Sequence, residues 1–317
     1  MKILIATYPF GIYDKSPLTL LDDSTIELIK NPHKRRLKPD DMPQLMQDVD
    51  AIIAGTEPYD RAFFERHSGQ LQVISRVGIG LDSIDMKAAQ DHNVTITYTP
   101  EAPSQAVAEL ALAQVLNLNR FILNSDRSIR QKSWNRMIGW LISERSIGII
   151  GLGRIGKILV KILQPFNPQI YVYDIDPDLE FIEKYNLKLV SETEIFELAD
   201  IVSLHIPMNS KNHHFVNRKK ISLMKTGSAF INTSRGALVD EEALTDALLQ
   251  KHIAAAALDV FEKEPYEGVL SRLENVILTG HIGASARQAR KDMEYRAAED
   301  CIRVLNAKEP LRPAHME

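Results

Sequence analysis

Cysteine is almost missing from this sequence, since Cys301 is the only one in 317 residues. One thiol cannot close a disulfide within the chain or supply the several thiolates of a structural metal site. Disulfide scaffolds and thiolate metal centres within one chain are therefore excluded, and we expect no metal site. Cys301 lies on the apolar stripe of a helix predicted over residues 284–306. This position predicts a small buried hydrophobic side chain without a chemical role.

The sequence also lacks long apolar runs and any strong excess of charge. No stretch approaches the ~18 apolar residues of a membrane-spanning helix, and the apolar run in MKILIATYPF is too short for a signal peptide. The formal net charge of −4 gives no reason to expect nucleic acid or an anionic membrane as a partner. We therefore expect a cytoplasmic protein that binds neither nucleic acid nor membranes.

Short apolar runs alternate with amphipathic segments through most of the chain. Alternation of this kind predicts parallel sheets covered by helices, and 317 residues are more than one core usually holds, so two domains are expected. In the first series the predicted strands are 2–7, 25–29, 51–54, 73–77 and 94–97, and the predicted helices lie near 40–48, 60–66 and 85–90. In the second series the predicted strands are 147–150, 170–173, 201–204, 229–231, 254–258 and 276–278, with helices at 104–119 and 241–250. About six parallel strands in the second series are typical of a doubly wound dinucleotide-binding fold.

A glycine turn, GLGRIG, joins the first strand of the second series to an amphipathic helix. Gly151 permits a tight turn, Gly153 lets a pyrophosphate approach the backbone, and Gly156 allows close packing of the helix on the strand. The N-terminus of that helix would then face the anion. A glycine triplet alone is also compatible with an ordinary turn, but the flanking strand and helix favour dinucleotide binding.

Asp174 ends the next predicted strand and lies 174 − 151 = 23 positions after the first glycine. A carboxylate at about this spacing accepts hydrogen bonds from the adenosine ribose diol. Asp176 follows it, and no basic residue is present there to receive a 2′-phosphate. The sequence therefore predicts NAD as the cofactor in preference to NADP.

Three polar residues follow later strands of the second series and are candidates for catalysis. Arg235 follows one strand and suits a bidentate grip on a carboxylate. His281 follows the last strand and could move a hydroxyl proton, while Glu264 beside it would fix its tautomer. Taken singly, each residue also has a plain interpretation, as a surface arginine, a solvated glutamate or a histidine bound to backbone.

Several segments together resemble one family, the NAD-dependent D-2-hydroxyacid dehydrogenases. They are GLGRIG, NTSRGALVDEEAL, ALDVFEKEP and GHIGAS in that order, together with SRVGIGLDSID, TPEAPSQAVAEL and DIVSLHIPM. The resemblance covers nearly the whole chain and is nearest in style to bacterial D-3-phosphoglycerate dehydrogenase-like members. It implies hydride transfer between NAD(H) and C2 of a small 2-hydroxy or 2-keto acid. A non-enzymatic NAD-sensing corepressor and a formate- or phosphite-oxidising member of the same fold remain alternatives.

The resemblance also implies an architecture of two doubly wound parallel-sheet domains. A Rossmann NAD-binding domain would cover residues 100–285, and a discontinuous flavodoxin-like substrate or lid domain would cover 1–99 and 286–317. The lid would be hinged to the NAD domain. A homodimer would form largely through the nucleotide domain and its long helix.

Roles for individual residues follow from the same resemblance. It implies that Arg235 binds the substrate carboxylate, that His281 is the acid/base paired with Glu264, and that Gly78 and Ile79 offer backbone N–H groups to the substrate. Asp259 would hold the nicotinamide carboxamide. The residues implied to line the cofactor are Gly151, Gly153, Arg154, Ile155, Gly156, Asp174, His205, Ile206, Pro207, Thr233, Ser234, Arg235, Asp259, His281 and Gly283.

Two departures from the family pattern bear on the substrate. Gly280 precedes His281 where a proline is usual, which predicts a looser loop. The segment 54–58 has no arginine, although phosphoglycerate dehydrogenases often carry one there for the phosphate. This weakens phosphoglycerate as the substrate, with Arg76, Arg130 or Arg136 as alternative phosphate ligands.

Overall fold

The computed structural model describes residues 1–22, 25–67 and 69–314. Its strands are β1 (Lys2–Ile5), β2 (Glu27–Lys30), β3 (Ala51–Ala54), β4 (Val73–Arg76), β5 (Thr95–Thr97), β6 (Ser146–Ile150), β7 (Gln169–Tyr173), β8 (Lys188–Leu189), β9 (Ile201–Leu204), β10 (Ser228–Asn232), β11 (Ile253–Leu258) and β12 (Val276–Leu278). Its α-helices are α1 (Ser16–Leu21), α2 (Met42–Leu45), α3 (Arg61–His67), α4 (Met86–Asp91), α5 (Ser104–Arg120), α6 (Ile122–Arg130), α7 (Arg154–Leu163), α8 (Leu179–Lys184), α9 (Glu194–Leu198), α10 (Arg218–Leu223), α11 (Glu241–Leu249) and α12 (Arg287–Leu305).

The chain divides into two compact units. The first unit contains Met1–Pro103 and Ala284–Glu317, and the second contains Ser104–Gly283. The domain boundaries predicted from the sequence, after residues 99 and 285, lie a few residues from these. The predicted end of the lid domain includes residues 315–317, which lie outside the described part of the chain.

The first unit is built on a five-stranded parallel sheet in the order β2-β1-β3-β4-β5. This is the flavodoxin-like order, in which the strand sequence reverses between β1 and β3. The helix α12 packs on one face of the sheet through the buried residues Met293, Ala297 and Cys301, and its Ala289 is also buried. Cys301 is fully buried and burial raises the pKa of its thiol, as expected for a hydrophobic side chain without chemistry.

The second unit is built on a seven-stranded parallel sheet in the order β12-β11-β10-β9-β6-β7-β8. Apolar cores cover both faces, and α5 and α7 pack together over one of them. The strand order reverses between β6 and β9, which places a ligand crevice at the carboxyl ends of those two strands. The predicted fold class, two doubly wound parallel sheets, is therefore confirmed.

Short, fully buried strands were the elements whose bounds were predicted best. The strands 51–54, 201–204 and 276–278 were predicted with the observed bounds. The short strand β8 extends the second sheet to seven strands, where about six were predicted. The helix predicted near 40–48 is only a 3₁₀ turn followed by the four-residue helix α2.

No single helix of the described residues is long and apolar enough to span a membrane. The pair α5 and α6 reaches the required length and hydropathy only when both helices are taken together, and they bend by 62° at their junction. The buried residues of α5 include Ala108, Ala111 and Val115, which belong to a core of the second unit.

Candidate active site

The glycine turn after β6 forms an open cradle at the carboxyl edge of the second sheet. Gly151 has φ +96°, and a Cβ there would lie 2.6 Å from the carbonyl oxygen of His205. A Cβ on Gly156 would overlap the carbonyl oxygen of Gly151, so helix and turn are in direct contact. At Gly153 a Cβ would meet no heavy atom of the described residues within 4 Å. The turn therefore offers space and helix N–H groups for a pyrophosphate.

Asp174 lies directly beside this turn. Its Oδ2 accepts a hydrogen bond from the Leu152 N–H at 2.5 Å, and its Oδ1 accepts one from the Asp176 N–H at 2.9 Å. Two backbone donors thus fix the carboxylate at the end of β7. Because each carboxylate oxygen can accept more than one hydrogen bond, the group can also receive a ribose diol.

Two buried polar atoms at neighbouring strand ends have no hydrogen-bond partner among the described residues. They are His205 Nδ1 after β9 and Thr233 Oγ1 after β10, on side chains of residues that are 9% and 8% exposed. Burial lowers the pKa of His205 to about 4, so its imidazole is neutral at physiological pH. Unpaired buried polar atoms are costly, and a bound dinucleotide could satisfy both. The residues present therefore fit an NAD molecule at this edge.

The loop that carries Arg235 is held by the side chain of Asn232. Asn232 Nδ2 donates to the Arg235 carbonyl at 2.8 Å, and its Oδ1 accepts from the Ser234 N–H at 2.9 Å. Ser234 Oγ donates to the Leu204 carbonyl at 2.7 Å, which ties the loop to the end of β9. Arg235 Nη1 donates to the Ser234 carbonyl at 2.7 Å. The guanidinium therefore projects from a rigid, partly buried loop, and its planar fork suits the two oxygens of a carboxylate.

Gly236 brings this loop into contact with the loop that follows β11. A Cβ at Gly236 would overlap the carbonyl group of Phe261 and the backbone nitrogen of Glu262. No side chain can be accommodated there without moving one backbone away from the other. The glycine therefore fixes the separation between the Arg235 loop and the loop that ends at Glu264.

Glu264 and His281 form the pair that the sequence predicted. His281 Nδ1 lies 2.9 Å from Glu264 Oε2, and the two side chains are 43% and 37% exposed. Burial alone would raise the pKa of Glu264, but the hydrogen bond and charge of His281, the Phe261 N–H and the nearby Arg235 together lower it. Glu264 is therefore an anion at neutral pH. Its bond to Nδ1 leaves Nε2 as the ring atom that can exchange a proton with a substrate.

Asp259 holds the loop that carries His281, a role that the sequence did not reveal. Its carboxylate is buried and accepts from Thr279 Oγ1 at 2.6 Å, from the Ile282 N–H at 2.8 Å and from the Gly283 N–H at 2.7 Å. The His281 N–H donates to the Asp259 carbonyl at 2.8 Å, and His281 has φ +54°. These bonds anchor the loop although it lacks the proline usual before the histidine. The implied contact of Asp259 with nicotinamide stays a prediction.

In the first unit, the structure gives the Gly78 N–H partners within the protein. It donates to the Arg76 carbonyl at 3.0 Å and to Thr99 Oγ1 at 2.9 Å. Gly78 could therefore bind a substrate only in exchange for these acceptors, whereas the role predicted for the Ile79 N–H stays a prediction. The sequence contained no signal for this pairing, because Thr99 follows Gly78 by twenty-one positions.

The glycine cradle, the Asp174 carboxylate beside it and the Arg235, Glu264 and His281 group are those of a nicotinamide-dependent dehydrogenase of the doubly wound type. Residues 112–283, more than half of the chain, match the family model described as D-isomer specific 2-hydroxyacid dehydrogenase, NAD binding domain. The chain therefore belongs to this family of NAD-dependent oxidoreductases, and the predicted family and cofactor are confirmed.

Individual relatives agree with this assignment. The chain is 36% identical over 275 residues to D-3-phosphoglycerate dehydrogenase of Methanocaldococcus jannaschii, covering 85% of this chain and 52% of that protein. It is 33% identical over 276 residues to glyoxylate reductase of Thermococcus litoralis, covering 84% and 83%. The crystal structure of the TT0316 protein from Thermus thermophilus is similar with a TM-score of 0.90, at 29% identity, covering 99% and 100%. The chain thus spans about half the length of the phosphoglycerate dehydrogenase and most of the length of the other two.

Proposed function

We propose that this protein reduces a small 2-keto acid with NADH and oxidises the corresponding D-2-hydroxy acid in the reverse direction. The observation that carries this proposal is the Glu264–His281 hydrogen bond of 2.9 Å in a unit that also holds the Arg235 loop and the glycine cradle. The three side chains supply an anchor for a carboxylate, a proton carrier and a charge that stabilises the carrier. Reduction of a keto group beside a carboxylate requires all three.

Each residue has one step in this reaction. Bound NADH would supply the hydride to C2. Arg235 would hold the substrate carboxylate and so orient C2. His281 Nε2 would donate the proton that the developing alkoxide takes up, and in oxidation it would accept the hydroxyl proton. Glu264 would stabilise the imidazolium form and fix the ring orientation through Nδ1.

We further propose that the substrate carries no phosphate. In the first unit the segment 54–58 contains Glu57, which is 1% exposed and accepts the Gly55 N–H at 2.6 Å. This segment follows β3, at the switch point of the five-stranded sheet, where ligands of such sheets bind. A buried carboxylate there disfavours a phosphate. The buried Arg76 guanidinium donates to the Val77 carbonyl, and Arg130 pairs with Asp126.

Phosphohydroxypyruvate is the second candidate substrate. The exposed Arg36 guanidinium donates to the carbonyl of Thr56, which places a cation beside the same segment. The similarity to a phosphoglycerate dehydrogenase also favours this candidate. Arg136 stays a possible phosphate ligand by sequence alone.

A screen of 2-keto acids with NADH tests both proposals. Glyoxylate, hydroxypyruvate, phosphohydroxypyruvate and pyruvate are compared by the loss of nicotinamide absorbance, each over a range of concentrations. We expect the highest kcat/KM with glyoxylate or hydroxypyruvate. A preference for phosphohydroxypyruvate would overturn the exclusion of phosphate, and no reaction with any acid would favour a non-enzymatic NAD-binding protein. Formate and phosphite with NAD are included to test the remaining alternative.

We predict a preference for NADH over NADPH of about 10- to 100-fold in kcat/KM, the range expected for hydrogen bonds to a charged group. The cause is Asp174, which would bind the ribose diol and repel a 2′-phosphate. Steady-state kinetics with both cofactors measure the preference, and Asp174→Ala should reduce it. The exposed Glu180 lies on the helix that follows, so Glu180→Ala is the matched control and should keep the preference. Equal efficiency of wild type with both cofactors would contradict the role of Asp174.

We also propose that the protein is a homodimer formed through an apolar surface of the second unit. Trp134, Ile138 and Leu141 are 78%, 90% and 62% exposed in a segment without regular structure, and Ile122 and Ile129 are each 51% exposed on the preceding helix α6. Exposed apolar side chains concentrated in one segment are typical of an interaction site. A second copy of the same chain is the partner favoured here, because most soluble oligomers are symmetric assemblies of one chain.

Cytoplasmic localisation stays a prediction.

If this surface forms the dimer, Ile138→Asp should produce monomers, because burying an unpaired charge in the interface costs free energy of association. Light scattering coupled to gel filtration measures the mass at several protein concentrations. Leu249→Asp is the matched control, since Leu249 is 57% exposed at the end of α11. Wild-type protein that is monomeric throughout, or an Ile138→Asp variant with an unchanged mass, would contradict this proposal.

A further inference from the structure

Glu241 lies at the start of α11 and contacts the segment 261–264, which carries Glu264. Its Oε1 accepts a hydrogen bond from the Glu262 N–H at 2.7 Å. The side chain is half-buried, and Glu241 has no role in the chemistry described above. We propose that Glu241 is a positioning residue that holds the segment 261–264 and thereby aims Glu264 at His281. This inference rests on the proposed function, because it concerns the proton carrier of the same site.

The segment is held from several sides: within it the Phe261 N–H donates to Glu264 Oε1 at 3.2 Å, and from outside it Glu241 accepts the Glu262 N–H. Gly236 packs against Phe261 and limits the approach of the segment from one side. His214 Nε2 forms a hydrogen bond to the carboxylate of Glu262, but this bond leaves the backbone free to rotate. The carboxylate of Glu241 fixes the orientation of the Glu262 peptide, two positions before Glu264. A rotation of that peptide would move the Glu264 carboxylate relative to His281 Nδ1.

The charges around Glu241 indicate that its hydrogen bond to the Glu262 N–H serves the geometry of the segment and not its electrostatic stability. Burial and then the charges of Glu262 and Glu264 raise the pKa of Glu241, although the Glu262 N–H opposes the shift. The charges of Glu262 and Glu264 thus each lie close enough to Glu241 to repel its carboxylate. Glu264 and Glu262 each have a histidine partner, since Glu264 binds His281 and Glu262 binds His214. The hydrogen bond to the Glu262 N–H is the contact that favours Glu241 at this place.

A neutral acceptor should therefore serve as well as the carboxylate. The amide oxygen of glutamine can accept the Glu262 N–H. The substitution also removes the charge of Glu241, which Glu262 and Glu264 repel. Alanine cannot accept this bond. Because the bond lies at the exposed side of the segment, water can replace it, and the fold should survive its loss.

The experiment compares Glu241→Ala, Glu241→Gln, Glu264→Gln and the double variant Glu241→Ala/Glu264→Gln in the full-length protein. Glu242→Ala is the matched control, because Glu242 is exposed in the same first turn of α11 and its loss changes the helix N-terminus by the same charge. We expect Glu241→Ala to lower kcat about 10-fold, the effect of losing one hydrogen bond that acts in the transition state, with the KM for NADH unchanged. Glu241→Gln and Glu242→Ala should stay within about threefold of wild type by the same standard.

The double variant separates positioning from a general structural effect. If Glu241 acts through Glu264, Glu241→Ala should cause no further loss in the Glu264→Gln background, because interacting residues are not additive. Additive losses would overturn the inference, as would a Glu241→Gln variant as impaired as Glu241→Ala.

A second readout does not depend on turnover. The imidazole titration of His281, followed by NMR, should move in Glu241→Ala towards that of Glu264→Gln, while Glu242→Ala leaves it as in wild type. An unchanged titration in Glu241→Ala would overturn the inference whether or not any keto acid reacts. A wild type that binds NADH and reduces no keto acid, but shows the Glu241-dependent titration, would overturn the proposed function and leave the positioning role intact.

Discussion

Replacing Arg235 by lysine should lower kcat/KM for the 2-keto acid by about 10- to 100-fold, although the positive charge is kept. This is the effect expected from the loss of one hydrogen bond to a charged group. Arginine presents a planar fork that binds both oxygens of a carboxylate, whereas the ammonium of lysine is a point charge. Arg235 Nη1 already donates to the Ser234 carbonyl, which orients the rest of the fork. Lysine would lose both the second bond to the substrate and this internal support. Weaker binding should raise KM, and misorientation of C2 should lower kcat.

Steady-state kinetics with the best keto acid of the screen measure this effect. Arg272 is an exposed arginine of the same unit, so Arg272→Lys is the matched control and should behave as wild type. The KM for NADH should also stay near the wild-type value, which separates loss of the substrate ligand from damage to the fold. Both kinetic constants of Arg235→Lys within about twofold of wild type would show that Arg235 does not bind the carboxylate.

The sequence predicted the candidate site well because residue type and strand order carry the information. Apolar runs locate strands, and the carboxyl ends of parallel strands meet at one edge of a sheet. Arg235, Glu264 and His281 follow β10, β11 and β12, which are neighbours in the sheet. Their proximity could therefore be inferred before any distance was known. The separation of 2.9 Å between His281 and Glu264 agrees with that inference.

Hydrogen-bond partners could not be predicted in the same way, because they depend on loop conformation. The carboxylate of Asp259 accepts three hydrogen bonds from the loop 279–283, which the sequence did not indicate, while its predicted contact with the nicotinamide stays a prediction. The N–H of Gly78 donates to Thr99 Oγ1, and its predicted contact with the substrate also stays a prediction. No pattern in the sequence indicates the contact of Glu241, because its partner is a backbone N–H twenty-one residues later. The periodicity of apolar residues indicates which face of a helix or strand is buried, but it does not indicate hydrogen bonds between side chains and the backbone of distant loops.

Among the described residues, five α-helices were not predicted, namely α1, α6, α8, α9 and α10. Two of them show why. The helix α1 has six residues, SPLTLL, which are too few to establish a helical period. The helix α6, ILNSDRSIR, fully buries only Ser128 and exposes Ile122 and Ile129, and Leu123 is its one partly buried apolar residue against the core of the second unit. A helix that buries little of its own surface gives only a weak signal in the sequence. If α6 packs on a second copy of the chain, its apolar residues belong to an interface that one chain does not show.

Replacing His281 by alanine should depress the reaction in both directions by about 10²- to 10⁴-fold, the usual contribution of a general acid or base. The hydride can still be transferred, but the alkoxide that forms in reduction then has no positioned proton donor. In oxidation the hydroxyl proton has no acceptor. NADH binding, measured by fluorescence, should be much less affected than turnover. A loss of less than about tenfold in both directions would contradict the acid/base role of His281.

Replacing Glu264 by glutamine should change the pH dependence more than the maximal rate. The pKa of Glu264 is lowered, so its carboxylate is charged throughout the neutral range and favours the imidazolium form of His281. Glutamine keeps the size and part of the hydrogen bonding but removes the charge that would stabilise a protonated ring beside it. Oxidation needs the neutral ring, and its acid limb should therefore move to lower pH. Reduction needs the protonated ring, and its rate at neutral pH should fall.

A neighbouring carboxylate provides the control for this pair. Glu262 lies two positions before Glu264 and binds His214 instead of His281, so Glu262→Gln removes the same charge from the same loop. Its pH profiles should match those of wild type. The profiles are informative where hydride transfer limits the rate, which a slower rate with deuterated NADH in reduction and with the C2-deuterated hydroxy acid in oxidation would establish. An unmoved profile in Glu264→Gln under those conditions would mean that Glu264 does not tune His281. A shift to lower pH of both the acid limb of oxidation and the alkaline limb of reduction, in that variant alone, would instead identify the charge of Glu264, and not its size, as the property that sets the working pH of the site.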